Sequence, residues 1–355
     1  MKGSVTTRPF GRLAGGEECN LYELRLGNGN SAQITDLGAA LVGFVCPDRN
    51  GLAEDIVLGC GSGPELAAHP AYFGAVVGRV AGRVANARVD FRRQRLDLSA
   101  NHGPHHIHGG HLGLSGRCWR ADIGTGPEPS VRFSLLSPDG DEGYPGNLEV
   151  SATWTLWAPC RLSVRIDAIC DTPTPFNPTL HPYFNLDGHM SGTLAHHLLT
   201  IGANRYTPIG PDCLPLGTIE EVEGTRLDFR SPRPVVGDIQ PGIAGIDHNF
   251  VRTNDSGAVA PAARLESTRS GRTLSLWTDR PCLHLYTGGN LGGIDGKDGS
   301  RYHAHAGMCL EPQGYPAMFA HRAFPKQSLV PGYRFSSVTI YDFGISPAAS
   351  PFTCG

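Results

Sequence analysis

Apolar and polar residues alternate with a period of two over long parts of the chain. In RLSVRIDAIC, 161–170, Leu162, Val164, Ile166 and Ala168 fall on one side, and Ser163, Arg165 and Asp167 on the other. LEVSATWTLW (148–157), TLSLWTD (273–279) and SSVTIYDF (336–343) repeat the pattern with β-branched and aromatic residues. A period of two sends successive side chains to opposite faces of a sheet, so each run predicts a strand. The segment SPDGDEGYPGN joins two such runs, and its Asp-Gly and Pro-Gly pairs are turn chemistry.

Helical signals are sparse. GPELAAHPAYFGAVVGRVAGRVA, 63–85, has room for a turn or two, but its glycines work against a long helix. There is no βαβ alternation, no internal repeat and no linker-like stretch. Many strands and turns without a hinge predict an all-β chain: one large antiparallel β-sandwich, a single domain over residues 1–355.

Composition narrows the function classes. The 355 residues carry a formal net charge of −3 and a pI near 6.6, without the basic stripe of a nucleic-acid binder. No run of about 18 apolar residues exists to span a membrane. The first residues, MKGSVTTRPFGRLAGG, lack an apolar signal core, so a cytoplasmic protein is expected. Ten cysteines, at 19, 46, 60, 118, 160, 170, 213, 282, 309 and 354, form no CxxC pair and are expected to be free thiols. Neither GxxxxGK[ST] nor GxGxxG occurs, so no nucleotide cofactor is expected.

Five segments gather chemically able residues among glycines and aromatics: VGRVAGRVANARVDF (77–91), NHGPHHIHGG (101–110), LHPYFNLDG (180–188), GIDHNFV (245–251) and CLEPQGYPAMF (309–319). His102, His105, His106, His108 and His111 form a dense cluster, but it is loop-like. With no HExxH, and no Cys or carboxylate at ligand spacing, a metal site is not expected there. Most of these histidines are expected to be loop or surface residues, with one or two bonding a polar ligand. Glu311 ends an apolar run, a place where poor solvation raises a carboxyl pKa and makes a better base. His181 lies in an apolar stretch directly before a proline, where an imidazole is costly to bury without partners. Singly, each has an ordinary explanation: a strand-end glutamate, a satisfied core histidine, an Asx-turn residue at Asp247, a solvated Arg83.

Together and in order, the blocks GRVAGRVA, GPHHIHGG, SPDGDEGYPGNL, HPYFNLDG, DHNFV, YTGGN and LEPQGYP closely resemble the signature blocks of the aldose 1-epimerases, the galactose mutarotases. The resemblance runs from about residue 35 to the C-terminus. It implies the galactose mutarotase-like supersandwich and an open groove for a free monosaccharide, with no metal or cofactor; no nucleic-acid or membrane partner is expected, and the chain is expected to be a monomer or weak homodimer. It implies that His181 is the catalytic acid and Glu311 the catalytic base. It also implies that Arg83, His108 and Asp247 bind the sugar and that Tyr183 lines the pocket. The reaction expected is interconversion of α and β anomers. The base takes the C1 hydroxyl proton while the acid protonates the ring oxygen; rotation about C1–C2 and reclosure follow, with acid and base expected on opposite sides of the C1–O5 unit.

The chain departs from the family pattern at three places. Gly82 stands where Asn is common, His284 where many members have Gln, and His105 where Asn is common. These bear on sugar preference, with His284 expected to contact sugar in place of the Gln. Three rivals remain at this stage: a glycoside hydrolase using Asp247 with Glu311, a non-catalytic sugar-binding relative, and a relative acting on sugar phosphates. The last would want Arg and Lys around the pocket, and only Arg83 is identified.

Overall fold

The computed structural model describes residues 3–236, 245–254 and 256–347. Among these, strands dominate and all named strand pairings are antiparallel. The longest sheet has nine strands. Arg120–Ile123, Ser130–Ser137, Leu148–Trp157 and Arg161–Cys170 run as a meander. Phe335–Ile345, Arg272–Thr278, Ala260–Ser267, His197–Ile201 and Arg233–Pro234 continue it. The four strands expected from alternation all lie in this sheet, the last two displaced by one or two residues at their ends. Leu162, Val164, Ile166 and Ala168 are buried, whereas Arg165 is exposed.

A second sheet of six strands faces the first. Its order is Tyr183–Phe184, Met308–Gln313, Cys282–Tyr286, Asp247–Arg252, Ala203–Thr207 and Glu220–Glu221. Its apolar face, Phe184, Phe250, Leu283, Leu285, Met308 and Leu310, shares one core with Trp154, Leu274, Leu276 and Tyr341 of the nine-stranded sheet. The Phe184 and Tyr341 rings lie 5.2 Å apart across that interface. A five-stranded N-terminal sheet, from Ser4–Arg12 to Ala53–Asp55, closes one end of this core. There Phe44 stacks on Phe343 at 4.1 Å.

The one α-helix among the described residues is Gly63–Ala68, capped by Ser62 and carrying Pro64 in its first turn. It occupies the only stretch where helical turns were expected. SPDGDEGYPGN forms the connection between Ser130–Ser137 and Leu148–Trp157, and it is clamped by a residue from elsewhere. Arg79, 2% exposed, donates to Ser137 Oγ and O, to Pro138 O, Pro145 O and Gly146 O, and to Thr174 Oγ1, all at 2.9–3.0 Å. A guanidinium with its donors matched in this way satisfies carbonyls that a buried turn would otherwise orphan.

Among the described residues nine cysteines are free; Cys354 lies outside them. No helix among them is long and apolar enough to cross a membrane.

Candidate active site

The six-stranded sheet builds the site through its register. Asn249, His284 and Glu311 are direct cross-strand partners, and so are Asp247, Tyr286, Cys309 and Tyr183 in the next row. Partners in a ladder point to the same face. Leu283, Leu285 and Leu310 therefore enter the core while His284, Tyr286, Glu311 and Gln313 turn the other way. That second face lines a cavity of about 330 Å³. Its lining also includes Tyr72, Arg83, His108, His181, Thr207 of the same sheet and, from the segment that follows it, Ile209, Cys213 and Pro215.

Every site residue expected from the sequence lines this one cavity: His181, Glu311, Arg83, His108, Tyr183, Asp247 and His284. His181 sits not inside a strand but at a break, between the short pairs Thr179–Leu180 and Tyr183–Phe184. Pro182 cannot donate to a ladder, which explains the interruption. The backbone of His181 is nonetheless held at both groups: its N–H donates to Ala75 O at 3.0 Å and its carbonyl accepts from Gly74 N at 2.9 Å. The side chain is buried. Its Nε2 lies 3.6 Å from Glu311 Oε1, and its Nδ1 lies 3.4 Å from Cys309 Sγ.

The two expected catalytic groups are thus neighbours on one wall, not opposed across a ring. The physical reason is register: Glu311 lies on Met308–Gln313, and Tyr183–Phe184, which follows His181, is the strand paired to it. The arrangement still suits a hemiacetal, because its two oxygens are bonded to the same carbon.

Electrostatics separates the roles. Burial pushes the Glu311 carboxyl above the ordinary glutamate range, against the opposing charges of His181 and His284. A stronger base results. Asp247 is held well below the usual range. Burial opposes this, but the hydrogen bond and charge of His284, with Arg83 and His248 beyond, outweigh it. His284 Nε2 meets Asp247 Oδ1 at 2.6 Å, and Arg83 Nη1 meets Oδ2 at 3.5 Å. The same pair raises the His284 pKa: burial lowers it, and the Asp247 carboxylate more than compensates. His284 is therefore tied to Asp247 at the pocket wall.

His108 behaves oppositely. Burial, then the charges of His181 and Arg83, push its pKa well down, so its imidazole is neutral. Gly82 N donates to its Nδ1 at 3.3 Å, which leaves Nε2 as the N–H donor. His108 itself is left-handed at φ 52°. The Gly109 after it, also left-handed, approaches so closely that a Cβ there would meet Gly78 O at 1.7 Å. Gly82 is left-handed too, but a Cβ there would find only Pro316, at 3.9 Å. The glycine leaves that corner of the pocket open. Tyr183 donates its hydroxyl to Ala71 O at 3.1 Å, and burial keeps the phenol neutral; it serves as a wall.

The histidine cluster divides. His108 enters the pocket and His102 lies at its edge. His106, expected in a loop or at the surface, is fully buried instead, its Nδ1 2.8 Å from Ser99 O and its Nε2 2.8 Å from Tyr144 Oη. Sequence reasoning also missed Asn249, Gln313, Thr207, Tyr72 and Tyr286. Gln313 Nε2 donates to Asn249 Oδ1 at 3.1 Å, and the buried Asn249 Nδ2 has no acceptor among the described residues. Both were findable: each lies two residues beyond a named site residue, Asp247 or Glu311, and so on the same strand face. One ligand atom each from His181, Cys309 and Glu311 lie within 4.8 Å of one another, a set able to hold a soft divalent cation.

The family model "Aldose 1-epimerase" matches residues 20–342. Galactose mutarotase of Mus musculus is 37% identical over 346 residues, covering 97% of this chain and 99% of its own. Aldose 1-epimerase of Escherichia coli is 33% identical over 335 residues, covering 92% and 96%. The crystal structure of a GalM/aldose epimerase homologue from C. elegans superposes with a TM-score of 0.84 at 31% identity, covering 97% and 100%.

Proposed function

The chain belongs to the aldose 1-epimerase family, and on that premise we propose that it interconverts the α and β anomers of a free aldose with Glu311 as base and His181 as acid. Glu311 removes the proton of the C1 hydroxyl as His181 delivers one to the ring oxygen. The C1–O5 bond breaks and an open-chain aldehyde forms. Rotation about C1–C2 presents the other face of the aldehyde to the C5 hydroxyl. On reclosure the roles exchange: His181 takes the hydroxyl proton and Glu311 returns one to the new O1. Protons balance over the cycle, and each transfer by a positioned group contributes roughly 10²–10⁴-fold.

The observation that carries this reading is the 3.6 Å approach of His181 Nε2 to Glu311 Oε1 on a buried pocket wall. The neighbours supply binding. His108 Nε2–H donates, Arg83 donates, and Asp247, kept ionised by its two cationic partners, accepts from sugar hydroxyls. Asp247 has both oxygens engaged by cations, which suits an acceptor better than a second reacting carboxylate. Among the described lining residues Arg83 is the sole Arg or Lys, which favours an uncharged sugar over a phosphorylated one.

Polarimetry on freshly dissolved α-galactose, α-glucose, α-xylose and α-arabinose tests the reading and ranks the substrates. Accelerated mutarotation by the wild type and a loss of about 10²–10⁴-fold in kcat for Glu311→Gln are expected. A Glu311→Gln protein as fast as the wild type removes Glu311 from the role of base.

A further inference from the structure

Outside the pocket lining, three chain segments bring two thiols and a carboxylate together. Cys19 Sγ and Cys118 Sγ are 3.4 Å apart. Asp36 joins them, so that one ligand atom from each residue lies within 4.8 Å of the other two. The segments are adjacent. Asp36 N donates to Asn20 O at 3.2 Å on one side, and Trp119 N donates to Asp36 O at 2.8 Å on the other. Cys19 and Asp36 are buried, whereas Cys118 retains contact with solvent and gives an entry path.

Asp36 is oriented as metal-bound carboxylates are. Asn20 N donates to Oδ1 at 2.9 Å and Asn20 Nδ2 donates to Oδ2 at 3.0 Å, and the Thr35 hydroxyl and the Asp36 backbone N–H also interact with the carboxylate, which together fix its plane. A second observation points to a cation. Asp36 is 5% exposed, yet no Lys, Arg or His is paired with it among the described residues. Buried carboxylates normally have a charged partner or a metal. The Glu17 carboxylate adds to the negative field at both thiols.

We infer that Cys19, Cys118 and Asp36 form a binding site for one soft or borderline divalent cation of the Zn²⁺ or Cd²⁺ class, with a solvent oxygen as fourth ligand. The thiols now share a hydrogen bond at 3.4 Å, and a tetrahedral ion with metal–sulfur bonds of about 2.3 Å would hold its sulfurs about 3.8 Å apart, so the pair opens by a few tenths of an ångström on binding. On binding, two metal–sulfur bonds and one metal–oxygen bond form, and the two thiol protons leave to solvent. No oxidation occurs. The site staples the Glu18–Arg25 strand of the N-terminal sheet, the segment carrying Asp36 and the entry to Arg120–Ile123 of the nine-stranded sheet. Its role is therefore structural.

The test uses the full-length chain, reduced and freed of metal. Titration with Cd²⁺ is followed by the ultraviolet sulfur-to-cadmium band and by thermal unfolding. Wild type is expected to bind one equivalent with a two-thiolate band and to gain thermal stability, by mass action. Cys118→Ser is expected to lose that band while keeping its mutarotation rate without metal. Asp36→Asn, which keeps both thiols, is expected to bind at least tenfold more weakly, as ligand-shell losses commonly cost 10–100-fold. The second cluster, His181 with Cys309 and Glu311, is distinguished because a cation there would slow mutarotation and would persist in Cys118→Ser. Equal Cd²⁺ binding and equal stabilisation in wild type and Cys118→Ser would overturn the proposal, as would a reduced wild type that binds none.

Discussion

The nine-stranded and six-stranded sheets solve the same packing problem with different second faces. Arg161–Cys170 alternates between core and solvent: Ile166 is buried and Arg165 is exposed. Met308–Gln313 alternates as strictly, yet all six of its residues are buried. Its odd face turns Glu311 and Gln313 toward the cavity instead of bulk water. The difference teaches where chemistry can live in a sandwich. A face in water leaves its carboxylates near their ordinary pKa. A face covered by other segments makes burial available as a lever, and Glu311 shows it with its raised pKa.

The contrast can be broken or sharpened by substitution. The largest effect is expected at the site sheet's neighbour. His181→Asn should lower kcat by about 10²–10⁴-fold, or about 3–5 kcal/mol of barrier, with the circular dichroism spectrum unchanged. Full activity in a folded His181→Asn protein would end its assignment as acid. On the scaffold sheet, Ile166→Ala should cost about 2–5 kcal/mol of stability by denaturant unfolding while kcat per folded molecule holds. A selective loss of kcat there would blur the division between the sheets.

A smaller effect is expected from His284→Gln. The charge of His284 lowers the Glu311 pKa. Removing it raises that pKa, and Glu311 must be ionised to act as base. The acid limb of the kcat/KM profile should therefore move to higher pH. A limb that stays in place or moves down would show that His284 does not act on Glu311. Smallest of all, Arg165→Ala on the solvent face should change stability by less than about 0.5 kcal/mol in the same unfolding assay.

This contrast also explains what was legible beforehand. One-faced strands announce themselves by alternation, so 148–157 and 161–170 were readable residue for residue. A strand buried on both faces blurs that signal, and the site sheet was reached through the resemblance of its motifs. The side-by-side placement of His181 and Glu311 was not readable, because register between segments more than a hundred residues apart is set by long-range pairing. Nor was the split between the two arginines of GRVAGR: Arg79 clamps a turn and Arg83 faces Asp247. Identical residue types in one motif acquire different work only when the rest of the chain arrives. His106 makes the same point, since its partner Tyr144 lies 38 positions away.

The proposed acid and base share a single wall, while Ile209, Cys213 and Pro215 reach the cavity from the segment after Ala203–Thr207. Part of the cavity rim is thus encoded in a stretch of gene apart from the proposed proton-transfer pair. Substitutions at residues 209–215, or refilling of the corner beside Gly82, would reshape the cavity without touching that pair.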